Sequence, residues 1–302
     1  MGIVCIYTDN EQLDCIIEQL SETQWIQKNG KALINLKIIL KSKNKINKLI
    51  IVLPYKISNI KDTSSDWLKF SNVAYYSKTS GDYYKIIDSK HQLIEDREGF
   101  IKINKINKIS LIENKLPKEE FIKKRFYTEL TIELEFPLQN NERNLFQLEY
   151  TIQNFAFKRF SYYIFTSNWY FVNRYYSIYD LWDSKNKTSY IIDLEDKIIP
   201  VRRIDNWVAL PGFARSAVFH PQPKLQSIVT IKHPGYLESI LKIKSQMIAR
   251  FTFFISSNKN IWYCKEIFCE YEPQPIPYWM AFLAFWITLV ALIITILTLK
   301  LR

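Results

Sequence analysis

Glycine is scarce here, six in 302 residues, and a chain so poor in the residue that turns freely into positive φ has no Gly-rich loop to cradle a phosphate or dinucleotide. Histidine is scarcer still. His91, His220 and His233 show no paired metal-ligand spacing, and each reads as a turn or packing residue rather than a base or ligand. The G-x-S-x-G elbow of serine hydrolases is also missing. Asp193, Glu195 and Asp196 in "IIDLEDKIIP" are carboxylates of a type that can do acid–base work, but their pattern is that of solvent-facing acids at a strand edge. No catalytic residue, metal ligand or cofactor is assigned.

Four cysteines, Cys5, Cys15, Cys264 and Cys269, are too few for a disulfide scaffold, and the C-x4-C spacing of the last pair matches no common zinc motif. Cys264 and Cys269 either form one bridge in an oxidising compartment or stay reduced and buried. A cleavable leader is not expected: "MGIVCIYTDNEQLDC" has no basic start, and its apolar stretch ends at Asp9.

What is abundant is Lys, Asn and Ile. The net charge of +11 comes from lysines interleaved with apolar residues, as in "KIILKSKNKINKLIIVLPYKI". That alternation marks solvated strand faces, and with no RNA- or DNA-reading motif a nucleic-acid partner is not expected. At the C-terminus the charge disappears altogether. From Pro273 to Leu299 there is no charged residue, and the 22 residues Tyr278 to Leu299 would rise about 33 Å as a helix, enough for a hydrocarbon core. Tyr278 and Trp279 stand at one end and Lys300 and Arg302 at the other, as interfacial anchors do. The expectation is a single span with the lipid bilayer as one partner.

The remainder reads as mainly β with a smaller α+β N-terminal part. Residues 1–116 form that α+β unit: Thr8 and Glu11 are spaced as a capping box, Leu13, Ile16, Ile17 and Leu20 recur at helical spacing, and "KALINLKIIL" and "KLIIVLPYKI" read as strands. Residues 117–271 form an antiparallel β-sandwich-like domain. In "TELTIELEF" Leu130, Ile132, Leu134 and Phe136 alternate with Glu129, Thr131, Glu133 and Glu135, the period of a half-buried strand. Further short strands follow between Pro, Asn, Asp and Ser clusters. Residues 272–277 are a Pro-rich spacer, 278–299 the transmembrane helix and 300–302 a basic tail.

Within the β-domain, "FKRFSYYIFTSNWYFVNRYYSIYDLW" is unusually rich in rings. Such a run is either a packed core or a surface that faces the membrane or a partner subunit. The candidate partner surface is Trp169, Phe171, Arg174, Tyr175, Tyr176 and Tyr179. The sequon at Asn186, "NKT" within "DSKNKTS", is a candidate N-glycosylation site in a turn.

The order "YYIFTSNWYFVNRYYSIYDLW", "IIDLEDKIIPVR", "FARSAVFHPQPKLQSIVTIKHPGYL", then a C-terminal span with a short basic tail, resembles the PIG-X family, including its fungal members. Phe171, Val172, Asn173 and Arg174 match an F-[IV]-[DN]-[KR]-like core, and Asp193, Leu194 and Glu195 match its D-L-E. Pro221 fits an H-x-R-Y-x-x-P-like motif, in which Arg215 and Ala217 stand where His and Arg are expected. The resemblance covers roughly residues 125–302. It implies a non-catalytic subunit of glycosylphosphatidylinositol mannosyltransferase I, stabilising a multi-span catalytic subunit (PIG-M-like). The domain would be lumenal in the endoplasmic reticulum and the C-terminus cytosolic, as the two basic tail residues also suggest. The alternative, for a chain without a leader, is a cytosolic tail-anchored sensor or effector, for example in bacterial defence, that oligomerises through its span.

Overall fold

The computed structural model describes residues 5–9, 14–27, 29–53, 55–65, 74–76, 83–88, 93–115, 126–161, 166–175, 198–210, 217–229, 246–254, 265–271 and 276–300. They form nineteen strands in three sheets, followed by one α-helix.

The first sheet has the order β1 (Cys5–Tyr7), β4 (Ile46–Leu53), β11 (Phe126–Leu138), β10 (Ile106–Lys115), with all neighbours antiparallel. The second is the large one. It runs β17 (Leu225–Val229), β18 (Gln246–Phe254), β15 (Arg203–Leu210), β2 (Cys15–Ile26), β3 (Ala32–Ser42), β12 (Glu142–Ile152), β9 (Gly99–Ile103), β8 (Leu93–Asp96), β7 (Tyr83–Asp88), β6 (Ala74–Tyr76), with β5 (Ile57–Asp62) also on β12. Two of its pairings, β2 with β15 and β12 with β9, are parallel. The third sheet is β13 (Phe157–Ser161), β14 (Thr166–Tyr175), β19 (Lys265–Tyr271), β16 (Ala217–His220).

One core joins all three sheets. Leu49, Ile51, Leu130 and Ile132 of the first, Leu36, Ile38, Phe146 and Leu148 of the second, and Phe171, Ile267 and Cys269 of the third belong to a single buried cluster. A smaller cluster, Ile39, Leu145, Ile94, Ile101 and Ile103, fills the opposite face of the second sheet under β8 and β9. β3 is therefore apolar on both faces at its middle, as a strand covered on both sides must be. Each fully buried Leu or Ile contributes about 1.5–3 kcal/mol relative to leaving it in water.

The helix expected over the N-terminal segment is instead β2, and the cause is local. Between Ile17 and Gln19 the register against β3 slips by one residue, so Glu18 is extra and the strand bulges. Ile17 then faces Leu40 and Leu20 faces Ile38, and both are fully buried although three residues apart. A bulge has imitated helical spacing. Thr8, read as a helix cap, is buried beside β1. The expected division at 116/117 falls between β10 and β11, which are paired through nine registered positions from Lys115↔Phe126 to Ile106↔Leu134. The antiparallel alternation read in "TELTIELEF" is present: Leu130, Ile132 and Leu134 are buried in β11.

The bulge also serves a purpose in the packing. Glu18, the extra residue, meets Arg143 of β12 across β3 at 2.6 Å, and Arg143 also grips Asp96 through two nitrogens at 2.6 and 2.8 Å. Asp96 opens the β8–β9 turn, which closes at Gly99 with φ of 118°, a conformation suited to glycine. Burial alone would lower the Arg143 pKa, but hydrogen bonds to Asp96 and Glu18 outweigh it and hold the guanidinium above its ordinary value. One side chain thus fastens the β8–β9 hairpin to the centre of the large sheet.

Candidate functional site: an apolar helix on the end of a core strand

The central strand of the third sheet leads to the feature that least resembles the rest of the molecule. β19 ends at Tyr271, which is buried, and α1 (Ile276–Lys300) begins five positions later. It starts two residues before the expected 278, so Ile276 and Pro277 belong to the helix rather than to the 272–277 spacer. Proline is accepted in a first turn, where its missing N–H has no helical partner to lose. The 25 residues of α1 span about 37 Å.

From 283 to 298 the described side chains of α1 face outward. Phe285, Ile287, Leu292 and Ile294 are 61, 66, 57 and 56% exposed, and consecutive members such as Phe285, Trp286 and Ile287 point about 100° apart. The helix is therefore apolar on every side rather than along one stripe, the pattern of a helix meant for a non-aqueous environment. Its threonine hydroxyls are satisfied internally. Thr288 donates to the Ala284 carbonyl at 2.7 Å, Thr295 to Ala291 at 2.8 Å, and Thr298 to Ile294 and Thr295 at 3.0 and 2.8 Å. A hydroxyl bonded back to its own helix needs no water. Among the described residues no helix is long and apolar enough to cross a membrane; the described side chains of α1, 283–298, cover about 24 Å, short of a ~30 Å hydrocarbon core.

The aromatic run proposed as a partner surface divides in the structure. Phe171 is corrected: it lies in the core, fully buried, with its ring 5.2 Å from that of Phe155. Its register partner across β14–β19 is Cys269, another core residue, so strand alternation turns Phe171 inward. Trp169, Arg174 and Tyr175 occupy β14 opposite Tyr271, Glu266 and Lys265. Tyr176, Tyr179, Asn186, Cys264 and the acidic group Asp193, Glu195 and Asp196 lie outside the described residues. Cys269 is a free, buried thiol, and burial followed by the charge of Glu270 pushes its pKa up. Cys15 is likewise free and buried, and burial above all raises it to about 12. Neither thiol has the lowered pKa and exposure that reactive cysteines show.

A polar row inside the core was not expected from the sequence. Glu22 and Gln24 of β2 are fully buried between Leu20 and Ile26, with Asn206 of β15 opposite Glu22. Tyr150 lies under the same row, its hydroxyl 3.4 Å from that of Tyr55, and its pKa is raised by burial and then by Glu22. Both amide atoms of Gln24 lack a hydrogen-bond partner among the described residues. The missed signal was polar residues at alternate positions in "LSETQWI", which in a strand share one face. Among the described residues no three His, Cys, Asp or Glu gather to hold a metal.

No protein-family model matches the chain, and no curated protein matches it. Among solved structures, an M1 zinc metallopeptidase from Deinococcus radiodurans is similar at a TM-score of 0.35 and 10% identity, over 87% of this chain and 43% of that one. A protein described as a putative protease from Parabacteroides distasonis is similar at a TM-score of 0.34 and 11% identity, over 86% and 41%. The chain thus spans less than half the length of these neighbours, and likeness at that level carries no argument about fold or activity.

Proposed function

We propose that this chain is a bilayer-anchored, non-catalytic accessory protein, in which α1 crosses the membrane and the sandwich-like β-body stabilises a membrane-embedded partner. The observation that carries the reading is α1 itself: apolar on every side, with its hydroxyls bonded internally, and joined to a core strand by a connection of four residues. Lipid is the solvent that such a helix suits. The uncharged sequence continues beyond the described side chains, from Tyr278 through Leu299, to the length a span needs.

The partner we propose is the multi-span catalytic subunit of glycosylphosphatidylinositol mannosyltransferase I, with the β-body in the lumen of the endoplasmic reticulum. Support for that choice is the resemblance to the PIG-X family over residues 125–302 and the basic tail. The test is topology followed by co-purification. In a eukaryotic cell, an endoglycosidase-sensitive form that disappears in Asn186→Gln, together with recovery of the mannosyltransferase on the tagged chain, is the expected result. Complete digestion of the body by protease added to intact microsomes would overturn the lumenal subunit and leave a cytosolic tail-anchored effector as the account.

A further inference from the structure

We infer that the outer face of the third sheet, around Phe157 and Val218, rests on the lipid headgroup interface beside the point where α1 enters the bilayer. The inference depends on α1 being a span and adds to it a second, peripheral membrane contact. The register places one row straight across the sheet: Phe157 of β13 opposite Tyr170 of β14, Tyr170 opposite Glu270 of β19, and Glu270 opposite Val218 of β16. The neighbouring row, Phe171, Cys269 and Phe219, is buried in the core, so alternation sends the Phe157–Val218 row to the other face. That face is open at both ends of the row. Val218 is 64% and Phe157 40% exposed.

An exposed valine and an exposed phenylalanine would be unremarkable if scattered. Here the row that holds them passes through Glu270, one residue before the end of β19 and six before Ile276. Val218 is one strand from β19 and Phe157 two strands, about 5 and 10 Å away at the spacing of a sheet. The connection from Tyr271 to Ile276 reaches at most about 17 Å. A bilayer that receives α1 is therefore within reach of both side chains, and the interface accepts an aromatic ring beside polar groups. This continuity with the helix selects lipid, rather than a second protein, as the occupant.

The test uses the full chain with Cys5→Ser and Cys264→Ser, reconstituted in phosphatidylcholine vesicles that contain headgroup-nitroxide lipid for positions 218, 157 and 100 and acyl-chain-nitroxide lipid for position 287. A fluorophore is attached in turn to Val218→Cys, Phe157→Cys, Ile287→Cys in α1 and Phe100→Cys on β9, an exposed position of the second sheet (63%). The expected result is several-fold stronger lipid quenching at 218 and 157 than at 100. Quenching at 287 with 218 and 157 no higher than 100 would overturn the docking and leave the span intact. No quenching at 287 would remove the span and the docking with it. Using both 218 and 157 keeps the answer clear if one variant fails to fold.

Discussion

Ile34, Leu36, Ile38 and Leu40 of β3 have no exposed surface, whereas Ile287, Leu292 and Ile294 of α1 are 66, 57 and 56% exposed. The residue types are the same, and so is the transfer energy of each side chain; what differs is who supplies the apolar neighbours. In β3 two flanking strands bond the backbone and residues of the other sheets cover the side chains. In α1 the helix bonds its own backbone and its own threonines, but its described apolar side chains stand largely exposed. A body that carries its own apolar interior folds in water. A helix that satisfies only its polar atoms leaves its apolar surface to be covered from outside, and on the proposed reading lipid covers it.

The comparison is broken most severely from the side of the body. Leu134→Asp places a carboxylate at a position 7% exposed in β11, with a cost of several kcal/mol; loss of the cooperative thermal transition is expected, and on the proposed function depletion of the mannosyltransferase subunit with it. Next in size is the helix. With α1 as the proposed span, Ile287→Lys combined with Val290→Lys adds about 3 kcal/mol per charge near its middle, and the doubly substituted chain should move from the detergent phase to the aqueous phase on cloud-point partition. Its β-body should melt unchanged, because the two regions use separate sources of stability.

The Arg143 clamp sharpens the account of the body. Arg143→Ala leaves the carboxylates of Glu18 and Asp96, each 14% exposed, without their cation, and a loss of about 2–4 kcal/mol in denaturant unfolding is expected. Hydrogen exchange should accelerate first in β8 and β9, the hairpin it fastens. The smallest effect has the opposite sign. Gln24→Leu removes an amide whose two polar atoms lack partners among the described residues, and a gain of up to about 1 kcal/mol is expected, read as a higher melting temperature.

How far the sequence showed this division depended on the element. β11 was legible because polar and apolar residues alternate from Glu129 to Phe136, so Leu130, Ile132 and Leu134 could be named as buried, although Thr131 of the other set is buried as well and Phe136 only half-buried. β2 was not, because the bulge at Glu18 gave Ile17 and Leu20 a spacing of three, and because its parallel partner β15 lies more than 180 residues away in sequence. β14 was legible as a strand but not in its facing: apolar residues at both parities hid the fact that Phe171 turns into the core. Helix α1 was the clearest of all, since a long uncharged run needs no knowledge of partners. The polar row was half legible: Glu22 and Gln24 alternate within one strand, but Asn206 comes from a strand more than 180 residues away.

Alkaline carbonate extraction of membranes from cells expressing the intact chain tests the central claim most directly. The account predicts that the full chain stays in the membrane pellet while a chain ending at Tyr271 is recovered in the supernatant, still folded. Release of the full chain into the supernatant, at the same pH and salt that leave a known span in the pellet, would contradict it.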